Sequence, residues 1–316
     1  MIKIIENNSE LGAGTRGASL GVNALKVVSR TKEDQFFSQF KIDEIALENQ
    51  MLDLPTNFPF AKRIDGIVKI FGRTMDAVKQ ASLDGDFPLV LSGDHSSAGG
   101  TIAGIKAAFP NKRLGVVWID AHADLHTPYT TPSGNVHGMP LATALAADNV
   151  DFQINEVKDE TLAHWESLKN MGGIAPKVNP EDLIFIAVRD TEAPEDAFLK
   201  AQNIRNFTVE EIRDKSKEWV AGQVENLLKD CDIIYISFDV DSMDSILVSK
   251  GTGTPVENGL TPEEANYFVN HFAALEKVKC VEFVEINPCL DDKINKMAET
   301  AYPILQSVCE TLNNRL

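Results

Sequence analysis

Six short runs of almost unbroken apolar residues recur along the 316-residue chain, at Met1 to Ile5, Pro88 to Ser92, Leu114 to Ile119, Leu183 to Val188, Ile233 to Phe238 and Val281 to Ile286. Runs that alternate so little are expected of strands covered by helices on both faces. Between them, Ile64 to Leu83, Gly100 to Phe109, Val209 to Leu228 and Pro262 to Leu275 read as helices, and Ala301 to Leu312 is helix-like near the end. This order predicts an α/β fold: three layers, α/β/α, around a doubly wound, mainly parallel sheet. No Pro/Gly/Ser-rich linker, internal repeat or low-complexity stretch divides the sequence, so one domain spanning residues 1–316 is expected.

Polar clusters close three of the apolar runs: Ser92-Gly93-Asp94-His95-Ser96, Asp120-Ala121-His122-Ala123-Asp124 and Ser237-Phe238-Asp239-Val240-Asp241. They fall at the C-terminal ends of the expected strands, where open α/β sheets place their binding crevice. In an extended chain, residues i, i+2 and i+4 project from one face, so Asp120, His122 and Asp124 are expected to converge, with Asp239 and Asp241 repeating the arrangement on another strand. Four carboxylates gathered without cations repel one another by roughly 4 kcal/mol per pair near 4 Å at an effective dielectric of about 20. A bound pair of cations removes that cost, and His95 and His122 complete the ligand set of a two-metal hydrolase. Oxygen and imidazole ligands without thiolate favour Mn, and Zn, Co, Ni or Fe would also accept them.

The segment Gly12-Ala13-Gly14-Thr15-Arg16-Gly17 matches G-x-G-x-x-G. The polar stretch Glu6 to Glu10 separates it from the first strand, and Thr31 to Gln35 reads as a polar loop where dinucleotide binding needs an acidic residue ending a second strand. A Rossmann site is not expected.

A net charge of −17 argues against nucleic acid, whose recognition rests on Lys and Arg at phosphates, and gives a field that favours cationic substrates. Cys231, Cys280, Cys289 and Cys309 are far apart with no CxxC pair, so reduced thiols are expected rather than a disulfide framework. The N-terminus has no signal-peptide apolar region, and no run approaches the roughly 20 residues of a membrane span. A cytoplasmic protein with no membrane partner is expected.

Taken together, the three clusters resemble the signatures of the ureohydrolase superfamily, which includes arginase, agmatinase and formimidoylglutamase. The resemblance runs from the Arg16-Gly17 loop through Gly251-Thr252-Gly253-Thr254-Pro255 to Val284-Glu285-Ile286-Asn287-Pro288. Within the superfamily, Thr127-Pro128 and Thr130 to Gly138 resemble the arginase loop that reads the amino-acid end of the substrate, a loop agmatinases usually lack. Arg189 to Glu195 is similar to the acidic run arginases carry after a strand.

The resemblance implies two Mn2+ per subunit, one held by His95, Asp120, Asp124 and Asp239, the other by His122, Asp120, Asp239 and Asp241. A metal-bridging hydroxide would attack the guanidinium carbon of L-arginine, giving urea and L-ornithine. Asp124 would relay a proton, His137 would exchange protons with solvent, and Glu285 and Thr254 would receive the guanidinium. Ser133 and Asn135 would bond the α-carboxylate, and Glu192 would face the α-ammonium.

Three features depart from the family pattern. His126 stands where arginases usually place an Asn that helps bind the carboxylate, Glu192 replaces the more usual Asp, and Ser242 to Lys250 lacks the common Asp-Pro. The alternatives these leave open are a hydrolase of agmatine, guanidinobutyrate or formimidoylglutamate, and a metal-stabilised binding protein without turnover. A single-zinc deacetylase-like enzyme would use fewer ligands. By family likeness a homo-oligomer, trimer or hexamer, is implied.

Overall fold

In the computed structural model, which describes residues 1–316, eight strands form a single sheet. They are β1 (Ile2–Asn7), β2 (Lys41–Glu44), β3 (Phe87–Ser92), β4 (Leu114–Ile119), β5 (Leu183–Ile186), β6 (Arg205–Phe207), β7 (Ile233–Asp239) and β8 (Val278–Val284). Their order across the sheet is β2-β1-β3-β8-β7-β4-β5-β6, and every pairing is parallel. The expected mainly parallel sheet is therefore wholly parallel.

Ten helices complete the fold: α1 (Gly21–Lys32), α2 (Ile64–Leu83), α3 (Ala98–Ala108), α4 (Pro140–Leu145), α5 (Asp159–Lys169), α6 (Ala193–Gln202), α7 (Val209–Lys215), α8 (Lys217–Leu227), α9 (Pro262–Ala273) and α10 (Lys296–Arg315). The strands divide their side chains between two cores, as the period of two requires. Val117 and Ile119 of β4 join a cluster of 48 buried residues with α1, α7, α8, α9 and α10. Leu114, Val116 and Trp118 of the same strand join a cluster of 24 with α2, α3 and α4. Helices thus cover both faces, which is why the strand sequences show no polar alternation.

The stretch Val209 to Leu228, expected as one helix, is two. Ser216 takes φ 92°, outside the helical region, and its Oγ accepts the backbone N–H of Trp219 to cap α8. Thr31 and Lys32, expected in a loop, close α1. The edge strands β2 and β6 escape the apolar pattern because Lys41–Glu44 is mostly exposed and Arg205–Phe207 buries only Phe207.

Candidate metal centre and substrate pocket

At the C-terminal end of the sheet one local device recurs. The Oδ1 of Asp94 accepts the backbone N–H of Ser96, that of Asp120 the N–H of His122, and that of Asp239 the N–H of Asp241, each at 2.8 Å. Asn7 and Asn287 close equivalent turns onto Ser9 and Cys289. Asp and Asn make such turns because a short side-chain oxygen reaches the second N–H along the chain. The strands therefore do not continue through the clusters: each chain turns just after its last pairing residue. Asp124 has left-handed backbone, φ 51°, so the convergence expected from an extended i, i+2, i+4 pattern is produced by turns instead.

The turns bring all six expected ligands together. His95 Nδ1 lies 3.0 Å from Asp120 Oδ2, 3.1 Å from Asp239 Oδ2 and 3.2 Å from Asp124 Oδ2. His122 Nδ1 lies 3.1 Å from Asp241 Oδ2 and 3.5 Å from Asp120 Oδ1. Two groups that could each hold a metal ion result, His95/Asp120/Asp239 and Asp120/His122/Asp241, sharing Asp120. Although His95 Nδ1 is buried and faces three carboxylates, none forms a hydrogen bond with it. A cation among these atoms would satisfy a nitrogen lone pair and four carboxylates at once, so the donor set fits a binuclear centre.

Supporting contacts fix the ligands. His95 Nε2 is 2.7 Å from Ser237 Oγ, and its ring stacks on Trp118 at 4.1 Å between centroids. The indole N–H of Trp118 donates to Asp120 Oδ2 at 2.8 Å, and Thr254 Oγ1 donates to Asp241 Oδ2 at 3.1 Å. Partners on the second ring nitrogen orient a metal-binding imidazole and set its tautomer. Ser237 and Trp118 were not assigned roles from sequence; a polar residue two positions before a ligand, inside an apolar run, is the signal for Ser237.

Burial and crowding perturb the acids strongly. Burial, with the charge of Asp120 added, pushes Asp124 up to about 6. Burial and the charges of Asp241 and Asp120 hold Asp239 well above the carboxylate range. Burial disfavours the imidazolium of His95, but the three carboxylates of Asp120, Asp124 and Asp239 that face it outweigh burial and raise the group. His137 follows the same logic: burial lowers it, while bonding to and the charge of Glu285 raise it overall.

A cavity of about 190 Å³ opens above the ligands, lined by no hydrophobic residue and no Lys or Arg. Of the expected substrate residues, His126, Ser133, Asn135, Glu192 and Thr254 lie on its wall, as does His137. Glu285 does not. It sits just behind, its Oε1 accepting the His95 backbone N–H at 2.8 Å and lying 3.5 Å from His137 Nδ1, while its buried Oε2 has no partner. A side chain at Gly253 would place Cβ 3.3 Å from that Oε2, so glycine there leaves the acceptor uncovered.

His126 is already engaged. Thr130 Oγ1 accepts the Thr127 N–H and lies 3.2 Å from His126 Nδ1, so its own proton is available to that nitrogen. The Nε2–H then points between Glu192 Oε2 at 3.2 Å and Glu195 Oε2 at 3.4 Å. Glu195, unassigned from sequence, completes a capping box with Glu192 at the start of α6 and also accepts the Leu125 N–H at 3.0 Å; the Glu-x-x-Glu spacing that encloses Pro194 is its legible trace. Asp190 lies 3.6 Å from His122 Nε2 on the same side.

The G-x-G-x-x-G loop serves this site. Gly12 donates its N–H to Asp94 Oδ2 at 3.0 Å, and a Cβ there would stand 2.7 Å from Ser96 Oγ. His164 packs edge-on against Phe58 and His271 pairs with Glu225, away from the pocket.

The comparisons with known proteins agree with this geometry. The model of the Arginase family matches residues 3–310. An arginase of Bacillus subtilis (strain 168) is 31% identical over 309 residues, covering 97% of each chain. The solved arginase of Bacillus caldovelox superposes with a TM-score of 0.81 at 31% identity over 97% of each chain. That of Entamoeba histolytica, in complex with L-ornithine, gives 0.80 at 25% identity over 99% of this chain and 98% of the other. With the family model spanning nearly its whole length, the chain belongs to the arginase family, hydrolases acting on a guanidino carbon–nitrogen bond.

Proposed function

We propose that this protein is a binuclear manganese hydrolase that cleaves the guanidinium group of L-arginine to L-ornithine and urea. The observation that carries the reading is His95 Nδ1, unbonded and within 3.2 Å of three carboxylate oxygens, at the base of a polar pocket. One ion would be held by His95, Asp120, Asp124 and Asp239, the other by His122, Asp120, Asp239 and Asp241. Bound there, the ions supply a water-derived nucleophile at neutral pH, because coordination lowers the pKa of water from 15.7 to about 7.

The chain's own groups do the rest. Glu285 Oε2, an acceptor without a partner, pairs with the planar guanidinium, and Thr254 borders the same part of the pocket. Asp124, on the cavity wall beside the ligand oxygens, takes and returns a proton. That proton goes to the departing amine as the C–N bond breaks, and His137, whose pKa is held above that of a free imidazole, exchanges protons with solvent. At the mouth, Ser133 and Asn135 bond the α-carboxylate. Glu192 receives the α-ammonium, and His126 acts on it by holding the Glu192 carboxylate in place rather than by reaching substrate itself.

The same reading makes the protein a single-domain cytoplasmic homo-oligomer, a trimer or hexamer. No helix is long and apolar enough to cross a membrane.

The test is urea release by the Mn-loaded protein from L-arginine, agmatine, 4-guanidinobutyrate and guanidinoacetate, beside ammonia or formamide release from formimidoylglutamate. Turnover of L-arginine, lost in Asp124→Asn, is expected. Turnover of another guanidino compound without L-arginine would refute the substrate, and silence on all would leave a binding protein.

A further inference from the structure

We infer that Lys62, which lines no part of the pocket, is the positioning residue that makes the site select a substrate bearing a carboxylate. The inference rests on the proposed arginine reading and names a determinant of its specificity.

The pocket poses an electrostatic difficulty for any anion. Asp124, Asp190, Glu192, Glu195, Asp239 and Asp241 line it, and no Lys or Arg does. At the Ser133–Asn135 end of the wall the side-chain donors are hydroxyls and one amide, and an amide is useful there only if its NH2 faces inward. Lys62 decides which way Asn135 faces. Its Nζ donates to Asn135 Oδ1 at 3.2 Å. An ammonium has donors only, so the atom opposite it must be the amide oxygen. The Nδ2 is then left on the other side, where a Cβ on Gly14 would approach it to 2.5 Å. Glycine at 14 is what gives the amide room in that orientation.

The lysine is itself held. Its backbone N–H donates to Gly134 O at 2.7 Å, tying it to the loop that carries Ser133 and Asn135. Gly134 has φ +75°, and a Cβ there would collide with Pro59 O at 1.9 Å, so the two segments are in direct backbone contact. Ala61 and Ile64 on either side are fully buried. Lys62 forms no ion pair, unlike Lys26 with Glu6 or Lys169 with Asp148. Of the other cations around the site, Arg189 directs its guanidinium at the backbone carbonyls of Ala187, Asp241, Ser242, Val256 and Glu257, Arg63 donates to Met51 O, and Arg16 donates to Ala13 O. An unpaired ammonium fixed behind the one amide on the carboxylate side of the wall both orients that amide and offsets the surrounding negative charge.

The test compares wild type, Lys62→Met and Lys62→Arg, each Mn-loaded, with L-arginine and with L-argininamide, which keeps guanidinium and ammonium but replaces the carboxylate by a neutral amide. KM and kcat are measured for both substrates, L-ornithine binding by calorimetry, and metal content in parallel. For Lys62→Met, KM for L-arginine and Kd for L-ornithine are expected to rise about tenfold, the equivalent of about 1.4 kcal/mol. Its kcat should stay within twofold and its KM for L-argininamide should be little changed; Lys62→Arg should recover most of the loss. Equal weakening of both substrates, an unchanged KM for L-arginine, or a loss tracking metal content would overturn the inference. Absence of L-arginine turnover in the wild type would instead overturn the functional reading on which it rests.

Discussion

The floor of the pocket and its rim are held by different forces. On the floor, Asp120, Asp239 and Asp241 are at most 2% exposed, and each has an oxygen bonded to a backbone N–H as well as facing an imidazole. Groups of one charge packed this closely interact by several kcal/mol per pair, so the loss of one changes the balance of all. On the rim, Ser133 is exposed and the Glu192 side chain is 52% exposed. Contacts there are single hydrogen bonds and screened ion pairs worth about 1 kcal/mol each. A floor of this kind tolerates few substitutions, whereas a rim can change one residue at a time while the metals stay bound. Of the three departures, those at His126 and Glu192 lie on the pocket wall and ligate nothing in the metal cluster, in keeping with that division, while Ser242 to Lys250 directly follows the floor residue Asp241.

Asp239→Asn is the sharpest test of the floor, because the amide oxygen can still close the turn onto the Asp241 N–H while the charge is gone. Losing one partner of a buried charged cluster costs about 4 kcal/mol. Urea release is expected to fall about a thousandfold, with fewer than two metals per chain by elemental analysis. Two bound metals and near wild-type turnover would show that charge on the floor matters no more than charge on the rim.

Protons and metals should compete on the floor alone. Asp124 is raised to about 6, so between roughly pH 4 and 6 the folded apoprotein holds a proton that the unfolded chain has released. That contribution to stability is present below pH 4 and is lost as the pH rises through 6. Metal replaces the proton, so stabilisation by Mn should be greatest above pH 6, near 2.7 kcal/mol at a hundredfold excess over Kd, and should vanish toward pH 4. Thermal melts with and without Mn across this range measure it; a pH-independent difference would contradict the assignment.

The smallest effect belongs to the rim. Glu192→Gln removes a charge from an exposed site, so KM for L-arginine should rise about fivefold, in line with about 1 kcal/mol. Both metals should remain by elemental analysis, and a loss of metal would erase the distinction between rim and floor.

The same division governs what could be read in the sequence. Buried strands are legible because apolar runs are needed on both faces, and acids and imidazoles following them are chemically conspicuous. The edge strands β2 and β6 were not, since an edge requires little burial and Lys41–Glu44 and Arg205–Phe207 have no apolar run. Nor was the break at Ser216, where neither Pro nor Gly interrupts the helical pattern. Glu195 and Lys62 were missed for a different reason: Leu125 and Asn135, their partners in space, lie 70 and 73 positions away. Metal ligands reveal themselves by type, while residues that orient others reveal themselves only by proximity.

The turns at the strand ends also bear on which ion the centre admits. Asp239 commits Oδ1 to the Asp241 N–H, and Asp241 commits Oδ1 to the Ala121 N–H at 3.2 Å, leaving Oδ2 of each toward the histidines. One oxygen of each acid is thus tied to the backbone while the other faces an imidazole. Calcium takes six to eight oxygens and often grips carboxylates through both, whereas smaller transition ions accept fewer ligands and welcome imidazole. With one oxygen of each acid already bonded to the backbone, the centre would suit an ion of few ligands better than calcium.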